Sequence, residues 1–185
     1  MGKIIFVTGG ARSGKSSFAE NYCLEKGRNL GYIATAEILD EEIKDRVRKH
    51  RSQRGDRWET YEHHLNIEDI VEDLLNKHDY VLLDCITIYM SNMMFSKCMN
   101  FENISIEETN NIELYIIESI SGIIEKAKIA NGNLVIVSNE IGLGIVPENK
   151  IARIYRDYAG RANQICASQA DEVYMVISSI PVKIK

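Results

Sequence analysis

The chain has 185 residues, 45% hydrophobic and 26% charged, with a formal net charge of −5; this is a globular composition, and its charge argues against a nucleic-acid partner. It contains neither a run of 18 apolar residues nor a secretory leader, so membrane insertion and export are not expected. Residues 1–185 are predicted to form one domain, and four cysteines without metal-ligand or C-x-x-C spacing point to reduced, mostly buried thiols in a cytoplasmic setting.

In chain order, the apolar run Ile4-Ile5-Phe6-Val7 predicts a buried strand over 3–8, followed by Gly9-Gly10-Ala11-Arg12-Ser13-Gly14-Lys15-Ser16 and a helix-like SSFAENYCLEKG. The G-x-x-x-x-G-K-S spacing between a strand and a helix is the phosphate loop: its backbone N–H groups and the helix dipole face a polyphosphate, Lys15 reaches the β/γ-phosphates, and Ser16 supplies a hydroxyl to Mg²⁺. A second strand is predicted at 30–34, and Asp40 is a candidate N-cap for a helix whose basic residues crowd toward its far end. Asn66 is the expected cap of IEDIVEDLLNKH, whose Ile67, Ile70, Val71, Leu74 and Leu75 share one face. Tyr80 to Asp84 then reads as an apolar strand ending in a carboxylate, the Walker B arrangement, which makes Asp84 the second Mg²⁺ partner. Helical spacing of Ile112, Ile116, Ile120, Ile123, Ile124 and Ala127 predicts a helix over 106–130 closing at Asn131-Gly132. Strands at 133–138 and 172–178 flank a helix with Pro147 in its first turn that runs to about 169. The alternation predicts an α/β fold of the P-loop NTPase type, a mostly parallel sheet with helices on both faces.

Two segments need separate reading. Asn76-Lys77-His78-Asp79 matches the guanine-reading N-K-x-D pattern, yet it precedes the Walker B strand, so it is read as a helix end and turn with Lys77 and His78 toward the dipole. In 46–62, Arg46, His50 and Arg54 fall at i, i+4 and i+8, while Ile43, Val47 and His50 fall at i, i+4 and i+7. That spacing puts His50 on the seam between an apolar face and a basic ridge, where a neutral imidazole could attack phosphorus; a solvated helix-surface histidine is the alternative. Phosphoryl-transfer chemistry would draw on Lys15, Ser16, Asp84 and the arginines Arg12, Arg51 and Arg54 for positioning and charge neutralisation.

The phosphate loop as Val7 to Ser16, Tyr32-Ile33-Ala34-Thr35-Ala36, the His50 to Glu62 segment, Leu83-Asp84-Cys85-Ile86-Thr87 with Ser91-Asn92, and Val137 to Pro147 continuing through Arg153, Arg156-Asp157, Gly160, Asn163 and Gln164 occur together. In this set the chain resembles, nearly end to end, the bifunctional adenosylcobinamide kinase/adenosylcobinamide-phosphate guanylyltransferase family of cobalamin biosynthesis. The resemblance implies a single P-loop nucleotide-binding and transferase domain with two activities. A nucleoside triphosphate, ATP or GTP, would phosphorylate the aminopropanol hydroxyl of adenosylcobinamide. GTP would then guanylylate a histidine that passes GMP to adenosylcobinamide phosphate, giving adenosylcobinamide-GDP.

By position, the resemblance makes His50 the guanylylated histidine and Gly9, Gly10, Ala11, Arg12, Ser13, Gly14, Lys15 and Ser16 the triphosphate cradle. Ala34, Thr35, Ala36, Arg51, Ser52, Gln53, Arg54, Glu62 and Asp84 match positions associated with nucleotide binding. It also implies a homotrimer with sites near subunit interfaces. Ile86, Tyr89 and Met90 stand where the family pattern has Leu, Trp and Leu, and the Asn-rich stretch 97–108 reads as a variable loop bearing on access for the corrinoid. Two other functions fit fewer of these residues: a P-loop kinase for another small metabolite with no covalent nucleotidyl intermediate, and a non-enzymic nucleotide switch.

Overall fold

A computed structural model describes residues 2–36 and 57–185. The apolar run near the start forms β1 (Ile4–Gly9), buried along its whole length, and leads through the phosphate loop into α1 (Lys15–Lys26). Then come β2 (Leu30–Ala34), β3 (Trp58–Glu62), α2 (Val71–Lys77), β4 (Tyr80–Asp84), α3 (Ile86–Lys97), α4 (Ile106–Ile129), β5 (Asn133–Asn139), α5 (Lys150–Gln169), β6 (Glu172–Ile177) and β7 (Ile180–Lys183). The strands form one sheet in the order β3-β2-β4-β5-β1-β6-β7, with β1 to β6 mutually parallel and β7 antiparallel to β6.

Because strand side chains alternate between faces, the sheet splits the core in two. Ile5, Val7, Leu30, Tyr32, Leu82, Val135 and Val137 point to one face, which α1 covers with Ala19, Tyr22 and Cys23. Ile4, Phe6, Ile33, Val81, Leu83, Leu134 and Ile136 point to the other, under α2 to α5. The α/β expectation with helices on both faces is met. All four cysteines are free, and Cys23, Cys85 and Cys166 are buried while Cys98 is partly exposed.

The five predicted strands form within a residue or so of their expected limits. The helix expected over 106–130 is α4, started by a full capping box in which Ser105 Oγ accepts from the Glu108 N–H and Glu108 Oε2 accepts from the Ser105 N–H. Beyond its end, the Gly132 N–H donates to Leu75 O at 2.7 Å. A Cβ on Gly132 would lie 2.2 Å from His78 O, so the close approach of two backbones demands glycine.

Other expectations are corrected. Asn66 caps nothing with its side chain: it adopts a left-handed conformation (φ 54°) and opens a 3₁₀ turn, Ile67–Asp69, before α2 starts at Val71. The last long helix begins at Lys150, not at Pro147, because Asn149 Oδ1 accepts from the Ala152 N–H and sets the start there. Ile86–Lys97, for which no element was expected, is α3, and a short connection leads from it to Ser105. β3 and β7 are strands that the sequence pattern did not single out. The helix expected behind Asp40 falls outside the described residues.

Asn76-Lys77-His78-Asp79 is a helix end, as read, at the sheet edge opposite the ends of β1 and β4. Lys77 stands in the last turn, as the dipole favours, but these side chains also make bonds of their own. The buried His78 ring bonds Asn29 Oδ1 through Nδ1 (2.7 Å) and the Tyr61 hydroxyl through Nε2 (2.9 Å), and burial lowers its pKa. Lys77 donates to Glu59 and Tyr61, and the Asp79 carboxylate accepts from the Arg28 and Asn29 N–H groups.

Candidate functional site

In a parallel sheet, ligands sit outside the carboxyl ends of the strands, where neighbouring connections diverge. Here that edge opens into a cavity of about 680 Å³ bounded by the phosphate loop, the ends of β2, β3, β4 and β5, and the start of α3.

The loop side is shaped by its backbone. Arg12 (φ 56°) and Gly14 (φ 90°) take left-handed conformations, and the Ser13 N–H donates to Gly10 O. At Gly14 both space and angle demand glycine, since a Cβ would sit 2.7 Å from Ser179 Oγ. Ser179 lies at the tip of the β6–β7 hairpin, whose two turn residues, Ser178 and Ser179, both have positive φ. The Ser179 N–H donates to Ser13 O at 2.7 Å, so the last hairpin braces the phosphate loop from outside.

Ala11, Arg12, Ser13, Gly14, Lys15 and Ser16 line the cavity, whereas Gly9 and Gly10 do not. Lys15, 8% exposed, donates from Nζ to Gly10 O at 3.2 Å. Burial lowers its pKa, and the neighbouring Cys85 and Asp84 work against that shift.

Opposite the loop, Asp84 ends β4 and accepts a hydrogen bond from the Tyr32 hydroxyl at Oδ2 (3.2 Å). Register aligns Ala34 with Asp84 and with Glu62, and all three line the cavity. Ser16 and Asp84 thus bring one hydroxyl and one carboxylate to the same space as Lys15, a donor set that suits a hard cation sharing its remaining positions with phosphate oxygens and water. Cys85 is not a nucleophile in this setting: burial, with Asp84 adding to it, pushes its thiol up to about 11.

Ala36 faces the cavity but Thr35 does not: it is fully buried. Its hydroxyl donates to Cys85 O (3.0 Å) and accepts from the Cys85 N–H (2.9 Å), and its carbonyl accepts from Asn92 Nδ2 (2.8 Å). Thr35 therefore ties the end of β2 to the end of β4 and holds Ala34 and Asp84 at one level. Thr35→Val leaves the Cys85 N–H unpaired in the interior, while Cys85 O keeps the Tyr89 N–H; the orphaned donor costs about 2 kcal/mol and lowers Tm by roughly 4–8 °C. Thermal unfolding of the variant checks this; an unchanged Tm with impaired nucleotide affinity would instead make Thr35 a direct ligand.

Tyr32, Thr60, Ile88 and Asn139 also line the cavity without having been singled out as site residues. Asn139 and Tyr32 belong to stretches that carried the family resemblance, and both occupy strand positions two apart from core residues of the face covered by α1. His50, Arg51, Ser52, Gln53 and Arg54 fall outside the described residues.

Comparison with known proteins places these motifs in context. The family model described as "Cobinamide kinase / cobinamide phosphate guanyltransferase" matches residues 5–184. The bifunctional adenosylcobalamin biosynthesis protein CobU of Salmonella typhimurium is 41% identical over 183 residues, 98% of this chain and 99% of its own. CobU of Escherichia coli K12 is 38% identical over 187 residues, with 98% and 99% covered. CobP of Pseudomonas aeruginosa is 31% identical over 179 residues, with 97% and 95% covered. Among solved structures, a prototypical ATPase from the type III secretion system of pathogenic bacteria superposes with a TM-score of 0.58 at 11% identity. That match takes in 95% of this chain but only 52% of the ATPase, and supports the P-loop NTPase-like fold alone.

Proposed function

Since the chain belongs to the cobinamide kinase / cobinamide phosphate guanyltransferase family, we propose that it phosphorylates adenosylcobinamide and then transfers GMP from GTP to the resulting phosphate, giving adenosylcobinamide-GDP for cobalamin synthesis. The observation that carries this reading is one cavity of about 680 Å³ shared by Lys15, Ser16 and Asp84, with Glu62 on its rim. Residues 11–16 cradle the triphosphate, their N–H groups and the α1 dipole facing its negative charge. The ammonium of Lys15 stabilises charge on the β/γ-phosphates. Ser16 and Asp84 would hold Mg²⁺, which when bound neutralises phosphate charge and favours phosphoryl transfer. Tyr32 fixes the Asp84 carboxylate through its hydroxyl. Ala34 and Ala36 offer small side chains where the nucleotide passes, and Arg12 stands at the loop to meet phosphate oxygens.

In the second reaction His50 is the nucleophile: its imidazole attacks the α-phosphorus of GTP, pyrophosphate leaves, and the phosphate of adenosylcobinamide phosphate takes GMP from the histidine. Arg51, Ser52, Gln53, Arg54 and Glu62 belong to the nucleotide-binding set beside it. ATP and GTP are both admitted as phosphoryl donors for the first reaction. The enzyme is assigned to the cytoplasm, in keeping with four free thiols, and to a homotrimer. Exposed Leu143, Ile145 and Val146, on the loop after β5, are apolar surface of the kind a subunit contact covers. Residues 1–185 act as one domain.

Intact-protein mass spectrometry after incubation with Mg²⁺ and GTP, run beside an assay of adenosylcobinamide phosphorylation, tests the reading. It requires a GMP adduct that survives base and is lost in acid, as a phosphoramidate is. Phosphorylation without any adduct would leave a kinase and remove the transferase half.

A further inference from the structure

Asn139 occupies a position that the two reactions above leave without a task. β5 lies between β1, which carries the phosphate loop, and β4, which carries Asp84. Register sets Gly9 opposite Asn139 and Asp84 opposite Val137. Val137 and Asn139 share a face, so the asparagine projects from the same side of the sheet as Asp84, about 6–7 Å further along the strand toward the cavity mouth.

Its orientation is set from behind. Nδ2 donates to Thr87 Oγ1 at 3.0 Å, and Thr87 is 1% exposed, with its hydroxyl also 3.2 Å from Cys85 Sγ and its carbonyl accepting from the Tyr155 hydroxyl. The strand tip is held as well: Asn163 Nδ2 donates to Asn139 O, and Ser138 Oγ donates to Asn163 Oδ1. With one Nδ2 N–H engaged by Thr87, Asn139 Oδ1 has no hydrogen-bond partner among the described residues, although the residue lines the cavity.

The polarity of that atom limits what it meets. A carbonyl oxygen only accepts, and so do the oxygens of an ionised polyphosphate, so Oδ1 is unsuited to the nucleotide phosphates that Lys15 and Arg12 serve. A hydroxyl is the complementary donor. We propose that Asn139, oriented by Thr87, accepts a hydrogen bond from the primary or secondary alcohol that receives the phosphoryl group and aims its oxygen at the γ-phosphorus.

In this step the bond between the hydroxyl oxygen and the γ-phosphorus forms. The bond from that phosphorus to the β,γ-bridging oxygen breaks, and its electron pair leaves with the nucleoside diphosphate. The hydroxyl proton passes to an oxygen of the transferred phosphoryl group and then to water. Asn139 is not a base: it steers the alcohol and takes no proton. Thr87 is a positioning residue that acts only through Asn139. The inference rests on the kinase reading above and assigns a residue to its acceptor.

Asn139→Ala and Thr87→Val, compared with wild type in two assays on the same preparations, provide the test. One assay measures adenosylcobinamide phosphorylation over a series of Mg²⁺ concentrations, and the other measures covalent labelling by α-³²P-GTP, a reaction with no alcohol acceptor. Loss of acceptor alignment is worth about 100-fold in rate, so Asn139→Ala is expected to lower kcat for phosphorylation by about that factor. KM for the nucleotide should stay within about threefold, and labelling should fall by far less than phosphorylation. Thr87→Val is expected to move the same parameter in the same direction by about tenfold. An equal loss in both assays, a defect in nucleotide KM, or a defect that added Mg²⁺ repairs would each overturn the proposal; the last would place a cation-bound water, not an alcohol, on Oδ1. A wild-type enzyme that neither phosphorylates nor labels would remove the kinase reading itself, and the assignment of Asn139 with it.

Discussion

Lys15→Ala is expected to reduce phosphorylation and covalent guanylylation together, each by about 10²–10³-fold, the range for removing one preorganised charge donor from a transition state. Two observations argue for a common loss. One cavity carries the whole loop lining from Ala11 to Ser16, and Asp84 and Glu62 close it from the other side. Lys15 is nearly buried within it, whereas Arg12, the other cation on the loop, is exposed. Stability should move the other way. Burial lowers the Lys15 pKa, so the folded state is a poorer host for the ammonium than water is, and truncation relieves that cost. The expected variant is therefore inactive in both assays with Tm at or above that of wild type. Steady-state rates and thermal unfolding measure this directly. If either half-reaction keeps its wild-type rate, the two reactions do not share a phosphate cradle.

His50→Ala is expected to divide the two activities. The GMP adduct should disappear from the mass spectrum, with nucleotidyl transfer reduced below detection, because no other group takes over a covalent nucleophile. Phosphorylation of adenosylcobinamide should persist within a few-fold of wild type, since moving a γ-phosphoryl group to a hydroxyl needs positioning and charge neutralisation but no imidazole. Circular dichroism and Tm should match wild type. A variant that unfolds would make His50 a packing residue, and an adduct that persists would place the covalent linkage on another side chain.

The parts of this molecule that were legible in its sequence are those whose information is local. β1, β2, β4 and β5 are short apolar runs because both faces of the sheet are covered, and α4 shows a stripe of isoleucines because only one side of it meets the core. The phosphate loop and Asp84 could be read because spacing alone places them at strand ends. β3 was missed because Trp58-Glu59-Thr60-Tyr61-Glu62 lies at the sheet edge and is only partly buried, so its pattern carries no apolar run. β7 was missed because all four of its residues are exposed and Pro181 sits within it, which an edge strand allows. α3 failed for the opposite reason: Ile86, Tyr89, Met90, Met93 and Met94 are buried around much of its circumference, which erases the polar stripe that marks a helix.

The same division holds for the site. Asn139 and Tyr32 become cavity residues only once β5 is inserted between β1 and β4, and β2 is laid beside β4; no local pattern encodes that order. Thr35 stood in a stretch associated with nucleotide binding, yet its hydroxyl faces Cys85 across the sheet, a contact between residues 50 positions apart.

The bracing of the phosphate loop by Ser179 also bears on the history of each molecule during translation. The G-x-x-x-x-G-K-S segment is made before the hairpin tip that supports Gly14 and Ser13, which follows only after β5, α5 and β6. β1 itself pairs with β5 and β6, both of them late. A nascent chain therefore carries the motif without a formed cradle and gains no stabilisation from cellular nucleotide until the hairpin docks. Nucleotide binding reports completion of the fold; it cannot template its early stages.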